Sequence, residues 1–229
     1  MILVTFLQFL VVALPICFFG RSFLRLLPLL FALILLDDVL LNVLRGSSWN
    51  WAGKVLEILW PLVLVFGLKW FSPKEVGYTW PKGKACWILA SGFGVGIALI
   101  GMILDRISGN RPDPATLETI FFQLTMPGLA EEAVYRGVFL ALFNRYFKRP
   151  WTLASAKMGW GALFTTLAFT AAHVICYSPK EKALFWNFGA AIPVFVVGFI
   201  LVWLREKTGS IWPSVLLHNV ANTLYMVGG

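Results

Sequence analysis

Charged side chains are scarce in this chain of 229 residues, since Asp, Glu, Lys and Arg together make up 13% of it. Soluble domains carry roughly 25% charged residues. The hydrophobic share is 59%, and apolar runs of about 20 residues follow one another, which excludes a soluble globule. We therefore predict one membrane-embedded domain over residues 1–229, an all-α, polytopic transmembrane helical bundle of about seven or eight spans.

Cysteine and histidine are also few. Cys17, Cys86 and Cys176 stand far apart and form no CxxC pair, so we interpret them as small core residues. Their pattern requires no oxidising compartment. The two histidines, His173 and His218, each lie in an apolar run and are considered below with the ionisable groups of the same half.

The net charge of +8 comes largely from Lys and Arg in short loops at the ends of apolar runs. This placement is typical of inner-membrane-type proteins, so we expect the lipid bilayer and no nucleic acid as a partner. On an eight-span arrangement the odd-numbered loops carry 12 Lys and Arg and the even-numbered loops carry 6. The bias predicts a multi-pass protein of a prokaryotic cell membrane, with odd loops in the cytoplasm and both termini outside. This orientation depends on residues 23–44 crossing the bilayer.

Eight apolar segments are separated by turn signals such as those at 46–48, 109–112 and 178–180. Tryptophans cluster near several segment ends, as in an aromatic belt. The segments are 1–20, 23–44, 53–72, 85–105, 117–147, 158–177, 183–204 and 210–227.

Two segments contain unusual residues. Asp37 and Asp38 interrupt the second one, where an interfacial kink or an earlier end of the span is favoured over a cavity-facing position. Gly92 and Gly96 in the fourth form a GxxxG pair, which predicts close helix packing rather than a phosphate-binding loop.

The fifth segment is long for a single span. Pro127-Gly128 is predicted to divide it into an amphipathic approach, 115–126, and a second helix. Glu131 and Glu132 would then lie in the first turns of that second helix, where the helix dipole favours negative charge.

Glu131, Glu132 and Arg136 are ionisable groups in an apolar run, where each costs at least a few kcal/mol. Glu131 and Glu132 are about 100° apart on a helix. Glu132 and Arg136 are spaced i, i+4 and are predicted to form an ion pair. Glu131 then points elsewhere and is the candidate general base that activates water. The alternative is a structural Glu–Arg pair beside an interfacial Glu131.

The histidines have companions at helical spacing. Phe169 precedes His173 by four residues and is predicted to stack on the imidazole and restrict it. His218 and Asn222 share one helix face, and two aligned donors in a dry cavity could stabilise the oxyanion of a tetrahedral intermediate. Taken singly, each group could be hydrogen-bonded packing or an interhelical clamp. Their joint occurrence in the final 100 residues favours one buried site.

EExxxR (131–136), FxxxH (169–173) and HxxxN (218–222), in that order, resemble the motifs of the CAAX prenyl protease 2 / Abi family, also called CPBP intramembrane proteases. The stretch TGSIWPS at 208–214 is also similar to the family's approach to its last motif. The match covers roughly 129–227, within a catalytic core assigned to 115–227. Residues 1–110 are spans of generic character.

The resemblance implies a glutamate-dependent intramembrane endopeptidase with its active site in the core of the C-terminal half. By motif position, Glu131 and His173 would activate the attacking water, and His218 and Asn222 would stabilise the oxyanion. The substrate would be a membrane-associated protein or peptide, lipidated or with a hydrophobic tail. The supporting residues would be Glu132, Arg136 and Phe169.

The family was long described as metalloproteases, and Glu131, His173 and His218 could supply zinc ligands. No HExxH is present, however, and the i, i+4 partners of the histidines, Phe169 and Asn222, are poor zinc ligands. We therefore predict catalysis without a metal or other cofactor. GxSG and GxGD motifs are missing too, which disfavours serine and aspartic intramembrane proteases.

Two other classes of protein compete with an enzyme that cuts near the membrane end of its substrate. A non-catalytic membrane binding protein of the immunity or scaffold type, on the same fold, would be favoured by loss of a motif residue, and none is lost. A transporter or proton relay would be favoured by inverted repeats, and none is detected. The endopeptidase is the leading hypothesis.

Overall fold

The computed structural model describes residues 2–44, 49–109, 114–178 and 183–228. The turn signals at 46–48, 110–112 and 179–180 lie outside these ranges. In the described chain, eight helical segments coincide with the eight apolar segments. They are α1 (Ile2–Cys17), α2 (Leu26–Val43, after a 3₁₀ turn Arg21–Arg25), α3 (Trp51–Leu62, continued by a π-helical turn Val63–Gly67), α4 (Ala85–Ser108), α5 (Leu117–Glu131) with a π-helical segment (Glu132–Phe139) and α6 (Leu140–Tyr146), α7 (Trp160–Val174), α8 (Phe188–Thr208) and α9 (Trp212–Gly228).

Two short antiparallel hairpins depart from the all-α prediction. β1 (Trp151–Leu153) pairs with β2 (Ala156–Met158), and β3 (Ile175–Ser178) pairs with β4 (Ala183–Trp186). Ala154 and Ser155 between β1 and β2 have φ angles of 45° and 71°, the left-handed conformation that tight two-residue turns require. The hairpins satisfy backbone groups in connections between helices. Strands of three or four residues are too short for an alternating pattern to reveal.

In the part of the chain that the structure describes, three helices are long and apolar enough to cross a bilayer by length and composition: Arg21–Val43, Ala85–Ser108 and Phe188–Thr208. Ile2–Cys17 and Trp160–Val174 are apolar but shorter. The chain is therefore an integral membrane protein, and the count of seven or eight spans stays a prediction.

The odd-numbered loops meet at one end of the bundle. Arg145 Nη2 donates to Trp70 O at 2.7 Å, and Ile211 N donates to Gly77 O at 3.0 Å. The loops that gather here carry most of the basic loop residues, in agreement with the charge bias of the sequence. We call this the basic end, formed by residues 18–25, 68–84, 147–159 and 209–211.

α4 packs along α9 through glycines, although not through the predicted pair. A Cβ at Gly94 would lie 3.0 Å from the backbone of α9, and one at Gly101 would lie 2.9 Å from the Tyr225 ring. Gly92 and Gly96 have no atom within 4 Å of the Cβ position, so the GxxxG prediction is wrong about the residues in contact. Residues seven apart lie on one helix face, and Gly94 and Gly101 have that spacing.

Asp37 marks neither a kink nor an end of α2, which continues to Val43. Its buried side chain accepts a hydrogen bond from Trp60 Nε1 of α3 at 2.9 Å. Asp38 accepts one from Thr5 Oγ1 at 2.5 Å. The favoured interpretation from sequence is wrong here, because partners on neighbouring helices satisfy both carboxyl groups without a break in the helix.

The helix also continues through Pro127, so the predicted division at Pro127-Gly128 is wrong. The Asn219 side chain of α9 bonds to the backbone at this point. Its Oδ1 accepts from Gly128 N at 2.8 Å, and its Nδ2 donates to Thr125 O at 3.3 Å. A neighbouring helix thus satisfies the irregular backbone around the proline. The main irregularity comes one turn later, in the π-helical segment 132–139.

Candidate active site

Three helices bring one carboxylate and both histidines together. Glu131 ends α5, His173 lies in the last turn of α7, and His218 lies in the first half of α9. Glu131 Oε2 is 3.6 Å from His173 Nε2 and 3.9 Å from His218 Nε2. These separations exceed direct hydrogen bonds and suit a bridge through one small polar molecule. The Glu131 side chain is 12% exposed and that of His173 is 37% exposed, so the site is reached from the side of His173.

Glu132 and Arg136 form the predicted ion pair, and Glu132 also holds a histidine. Glu132 Oε1 accepts from Arg136 Nη1 at 3.1 Å and from His218 Nδ1 at 2.8 Å. Arg136 Nη2 donates to Gly198 O of α8 at 3.1 Å. Both side chains of the pair are 0% exposed. The pair therefore fixes α8 and α9 against the π-helical segment.

The hydrogen bonds decide which nitrogen of each imidazole carries a proton. His173 Nδ1 lies 2.8 Å from Phe169 O, and His218 Nδ1 lies 2.8 Å from Glu132 Oε1. A carbonyl oxygen and a carboxylate oxygen can only accept, so both Nδ1 atoms donate. A neutral imidazole then presents an unprotonated Nε2 towards Glu131, and only an imidazolium presents an Nε2–H.

Phe169 is packed at the centre of these groups. Its ring centroid is 4.3 Å from that of His173 with 44° between the planes, so the predicted contact is present in a tilted form. Arg136 Cζ lies 4.1 Å from the Phe169 centroid, a cation–π distance. The ring of His218 meets Phe169 edge to face at 6.2 Å. One aromatic side chain thus orders both histidines and the arginine.

Asn222 follows His218 along the same face of α9. Its Nδ2 donates to Gln123 Oε1 of α5 at 3.1 Å. The amide has a second N–H for another acceptor. The contact of Asn222 with α5 is thus made to Gln123 and not to Glu131.

Lys54 of α3 holds the candidate general base, although no sequence motif contains it. Its Nζ donates to Glu131 Oε1 at 2.8 Å and to Glu57 Oε2 at 2.7 Å. The side chains of Lys54, Glu57 and Glu131 are 11%, 2% and 12% exposed. The sequence does carry a signal for this pair, because Lys54 and Glu57 are ionisable groups spaced i, i+3 in an apolar segment. Lys54 is hard to recognise because it stands at the start of segment 53–72 and resembles a loop residue.

Comparison with known proteins identifies the family that the motif-bearing part of the chain matches. Residues 113–224 match the family model described as type II CAAX prenyl endopeptidase, Rce1-like. This region is Rce1-like. An uncharacterised 24.3 kDa protein of Escherichia coli is 29% identical over 202 residues, which cover 82% of this chain and 85% of the relative. No solved structure matches the chain.

The Rce1-like region contains the EExxxR, FxxxH and HxxxN motifs, so the resemblance inferred from them is confirmed. Lys54 and Glu57 lie before this region and on a different helix. The site is therefore assembled from the Rce1-like region and from one helix outside it.

The Lys54 ammonium disfavours a zinc ion at the candidate site. Among the residues that the structure describes, no group of three or more His, Cys, Asp or Glu side chains is arranged to hold a metal. Glu131 Oε1 already binds the Lys54 ammonium, whose positive charge opposes a dication beside it.

Proposed function

We propose that the protein is an intramembrane endopeptidase that hydrolyses a peptide bond with a glutamate-activated water and without a metal. The observation that carries this proposal is the approach of Glu131 Oε2 to the Nε2 atoms of His173 and His218, at 3.6 and 3.9 Å. Oε1 of the same carboxylate is held by Lys54. Oε2 is buried and makes no hydrogen bond with the described residues, so it is the oxygen available to take a proton.

In the proposed reaction, a water molecule binds between Glu131 Oε2 and His173 Nε2. The unprotonated Nε2 accepts a hydrogen bond from one O–H of the water and so orients a lone pair of the water oxygen. Glu131 takes the other hydrogen as the water oxygen attacks the carbonyl carbon, which gives a tetrahedral intermediate. Glu131 then delivers this proton to the leaving nitrogen. The C–N bond breaks and releases an amine and a carboxylic acid, and the acid then loses its remaining proton to water to become the new carboxylate.

The oxyanion of that intermediate is assigned to His218 and Asn222. His218 can donate through Nε2 only as an imidazolium, because its Nδ1 donates to Glu132. An imidazolium also balances the charge of the cluster, since buried charges are stable only when they are compensated. The groups in direct contact are three carboxylates and two cations: Glu57, Glu131, Glu132, Lys54 and Arg136.

Lys54 acts as a positioning residue in this proposal. Its ammonium fixes one oxygen of Glu131 and is itself fixed by Glu57, so the carboxylate cannot rotate freely. Misplacing a reacting group by about 1 Å can reduce a rate by about 100-fold. The helix α3 therefore contributes to the reaction through the orientation of Glu131.

The site lies nearer to the end of the bundle opposite the basic end. His173 is one residue from the end of α7, and Lys54 is in the first turn of α3, while the other ends of both helices lead to the basic end. With the basic end in the cytoplasm, the substrate would be cut in the outer half of the membrane. This position favours a lipidated or hydrophobic-tailed peptide that enters laterally from the bilayer.

The test compares membranes of host cells that produce wild-type protein, Glu131→Ala or His173→Ala, with new peptide termini identified by mass spectrometry. We expect a set of termini that is present with the wild type, absent with both variants at equal protein levels, and unaffected by a chelator. The control Glu118→Gln removes an exposed carboxylate at the start of α5 and should leave these termini unchanged. Termini that persist in both variants would contradict the proposal and favour a binding protein.

A further inference from the structure

A cavity lies at the basic end of the bundle. Its volume is about 930 Å³, and small-molecule sites usually measure about 300–1,000 Å³. The walls come from the loop 68–84 and from the adjoining ends of α4, α6 and α8. Arg145 on its wall lies on the same helical run as Glu131, roughly 20 Å further along the axis. The cavity is therefore separate from the candidate active site.

The lining of this cavity is strongly basic. It carries six Lys and Arg side chains and two Glu side chains. The two glutamates are used in ion pairs, Glu75 with Arg145 and Glu206 with Arg149, each at 2.9 Å. Four cations have no carboxylate partner among the described residues: Lys74, Lys82, Arg205 and Lys207.

Arg205 is the most informative of these cations, because its side chain is buried. The residue is 6% exposed, and its Nη2 donates to Glu75 O at 2.8 Å. Its Nε is buried without a hydrogen-bond partner among the described residues. A Cβ at Gly77, where φ is +76°, would overlap the guanidinium, so glycine lets the loop cover Arg205. A buried guanidinium is unfavourable without an anion, so this arrangement points to an anionic ligand.

We propose that this cavity binds a phosphate-bearing anion, with Arg205, Lys74 and Lys82 as its ligands. A guanidinium can bind two phosphate oxygens at once, and lysines add mobile point charges. The phosphate belongs either to the headgroup of an anionic phospholipid or to a free phosphate compound. The rings of Trp80 and Trp87 lie 5.2 Å apart beside the cavity, and tryptophans are enriched at the depth of lipid headgroups.

The experiment uses the full chain in detergent, and native mass spectrometry measures binding of dioleoyl phosphatidylglycerol, with dioleoyl phosphatidylcholine as the zwitterionic comparison. Lys74→Ala/Lys82→Ala removes two exposed cations of the cavity. Lys148→Ala/Lys157→Ala removes two exposed cations of the same end that do not line it. We expect the first variant to bind phosphatidylglycerol about 30-fold more weakly than wild type, and the second to bind it as wild type does.

Inorganic phosphate distinguishes the two sources of the ligand. Saturable binding of phosphatidylglycerol that phosphate does not displace would assign the site to a membrane lipid. Displacement by phosphate, with a thermal stabilisation by phosphate that the Lys74→Ala/Lys82→Ala variant loses, would assign it to a free phosphate compound. Equal binding of both lipids, or equal losses in both lysine variants, would overturn the proposal.

A second variant tests the buried cation directly. Arg205→Gln should bind neither phosphatidylglycerol nor phosphate and should lose the thermal shift that either one produces in the wild type. Retention of that shift in a folded Arg205→Gln protein would contradict the assigned role of Arg205. If this variant does not fold, the lysine pair and its matched control still decide the question.

Discussion

The two halves of the chain differ in whether a sequence motif marks the residues that they contribute to the candidate site. Residues 113–224 match a family model and carry each motif side chain, including Glu131, His173 and His218. The part before residue 110 has only generic apolar segments, yet Lys54 from that part makes a 2.8 Å hydrogen bond to Glu131. A motif thus identifies the chemistry of a site, whereas a residue that orients the reacting group can lie outside the motif-bearing region.

The largest effect is expected on the motif side of this comparison. Glu131→Gln keeps the size of the side chain but cannot take a proton from water, so cleavage should fall by about 10²–10⁴-fold. The loss of wild-type peptide termini measures it. Glu118→Gln on the same helical run should retain full activity. A Glu131→Gln rate within tenfold of wild type would remove Glu131 from the proposed role.

The next effect tests whether the generic half takes part in catalysis. Lys54→Met should reduce cleavage by about 10–100-fold, because Glu131 loses the group that orients it. The same change leaves Glu57 and Glu131 buried without their shared cation and should lower the free energy of unfolding by about 3–5 kcal/mol. Thermal unfolding in detergent and the yield of peptide termini measure the two effects.

A double variant separates orientation from simple stability. Lys54→Met/Glu57→Gln removes one of the two carboxylates left unpaired and should regain part of the stability while cleavage stays low. Lys54→Arg keeps a cation and should restore more activity than methionine does. If the double variant regains activity together with stability, Lys54 has only a structural role.

A smaller effect concerns the contact between the halves. Gly94→Ala should lower the free energy of unfolding by about 1–3 kcal/mol, because its Cβ would press on the backbone of α9. Gly96→Ala on the same helix should change it by less than about 0.5 kcal/mol, since the space beside it is open. Thermal unfolding of both variants measures the difference. Equal losses would show that α4 and α9 do not meet through Gly94.

No effect is expected from metal removal. Incubation with a chelator should leave cleavage by the wild-type protein unchanged, because the Lys54 ammonium already compensates the charge of Glu131. A zinc protease added to the same membranes serves as the positive control and should lose its activity. Loss of cleavage that zinc restores would contradict the metal-free proposal.

The local sequence was sufficient to predict the eight segments from the length of the apolar runs and the Glu132–Arg136 pair from its i, i+4 spacing. It was not sufficient to predict that α2 continues past Asp37, that α5 continues through Pro127, or that Gly94 packs against α9. The behaviour of each depends on a side chain or backbone from another helix, namely Trp60, Asn219 and α9. Local signals for a kink or a break therefore misled where a neighbouring helix supplied the missing partner.

In the candidate site, too, the local sequence predicted some features, while contacts between helices determine others. Residue types and motif order predicted that Glu131 and the two histidines share one site. In the structure, the Nε2 atom of each histidine lies within 4 Å of Glu131 Oε2. The hydrogen bond between Glu132 and His218, which lie 86 residues apart, could not be read from spacing. Lys54 was hidden because an ionisable residue near the start of an apolar segment is more often at the membrane surface.

The π-helical segment 132–139 behaves like a one-residue insertion in an otherwise regular helix, since its hydrogen bonds span five residues instead of four. Loss of a single codon there, for example that of Val134, would change no motif side chain. It would change the spacing of Glu132 and Arg136 from i, i+4 to i, i+3, which turns Arg136 by about 100° relative to Glu132 and disturbs their ion pair. The number of residues between the motif positions of this helix thus determines the site as much as the identity of its glutamates does.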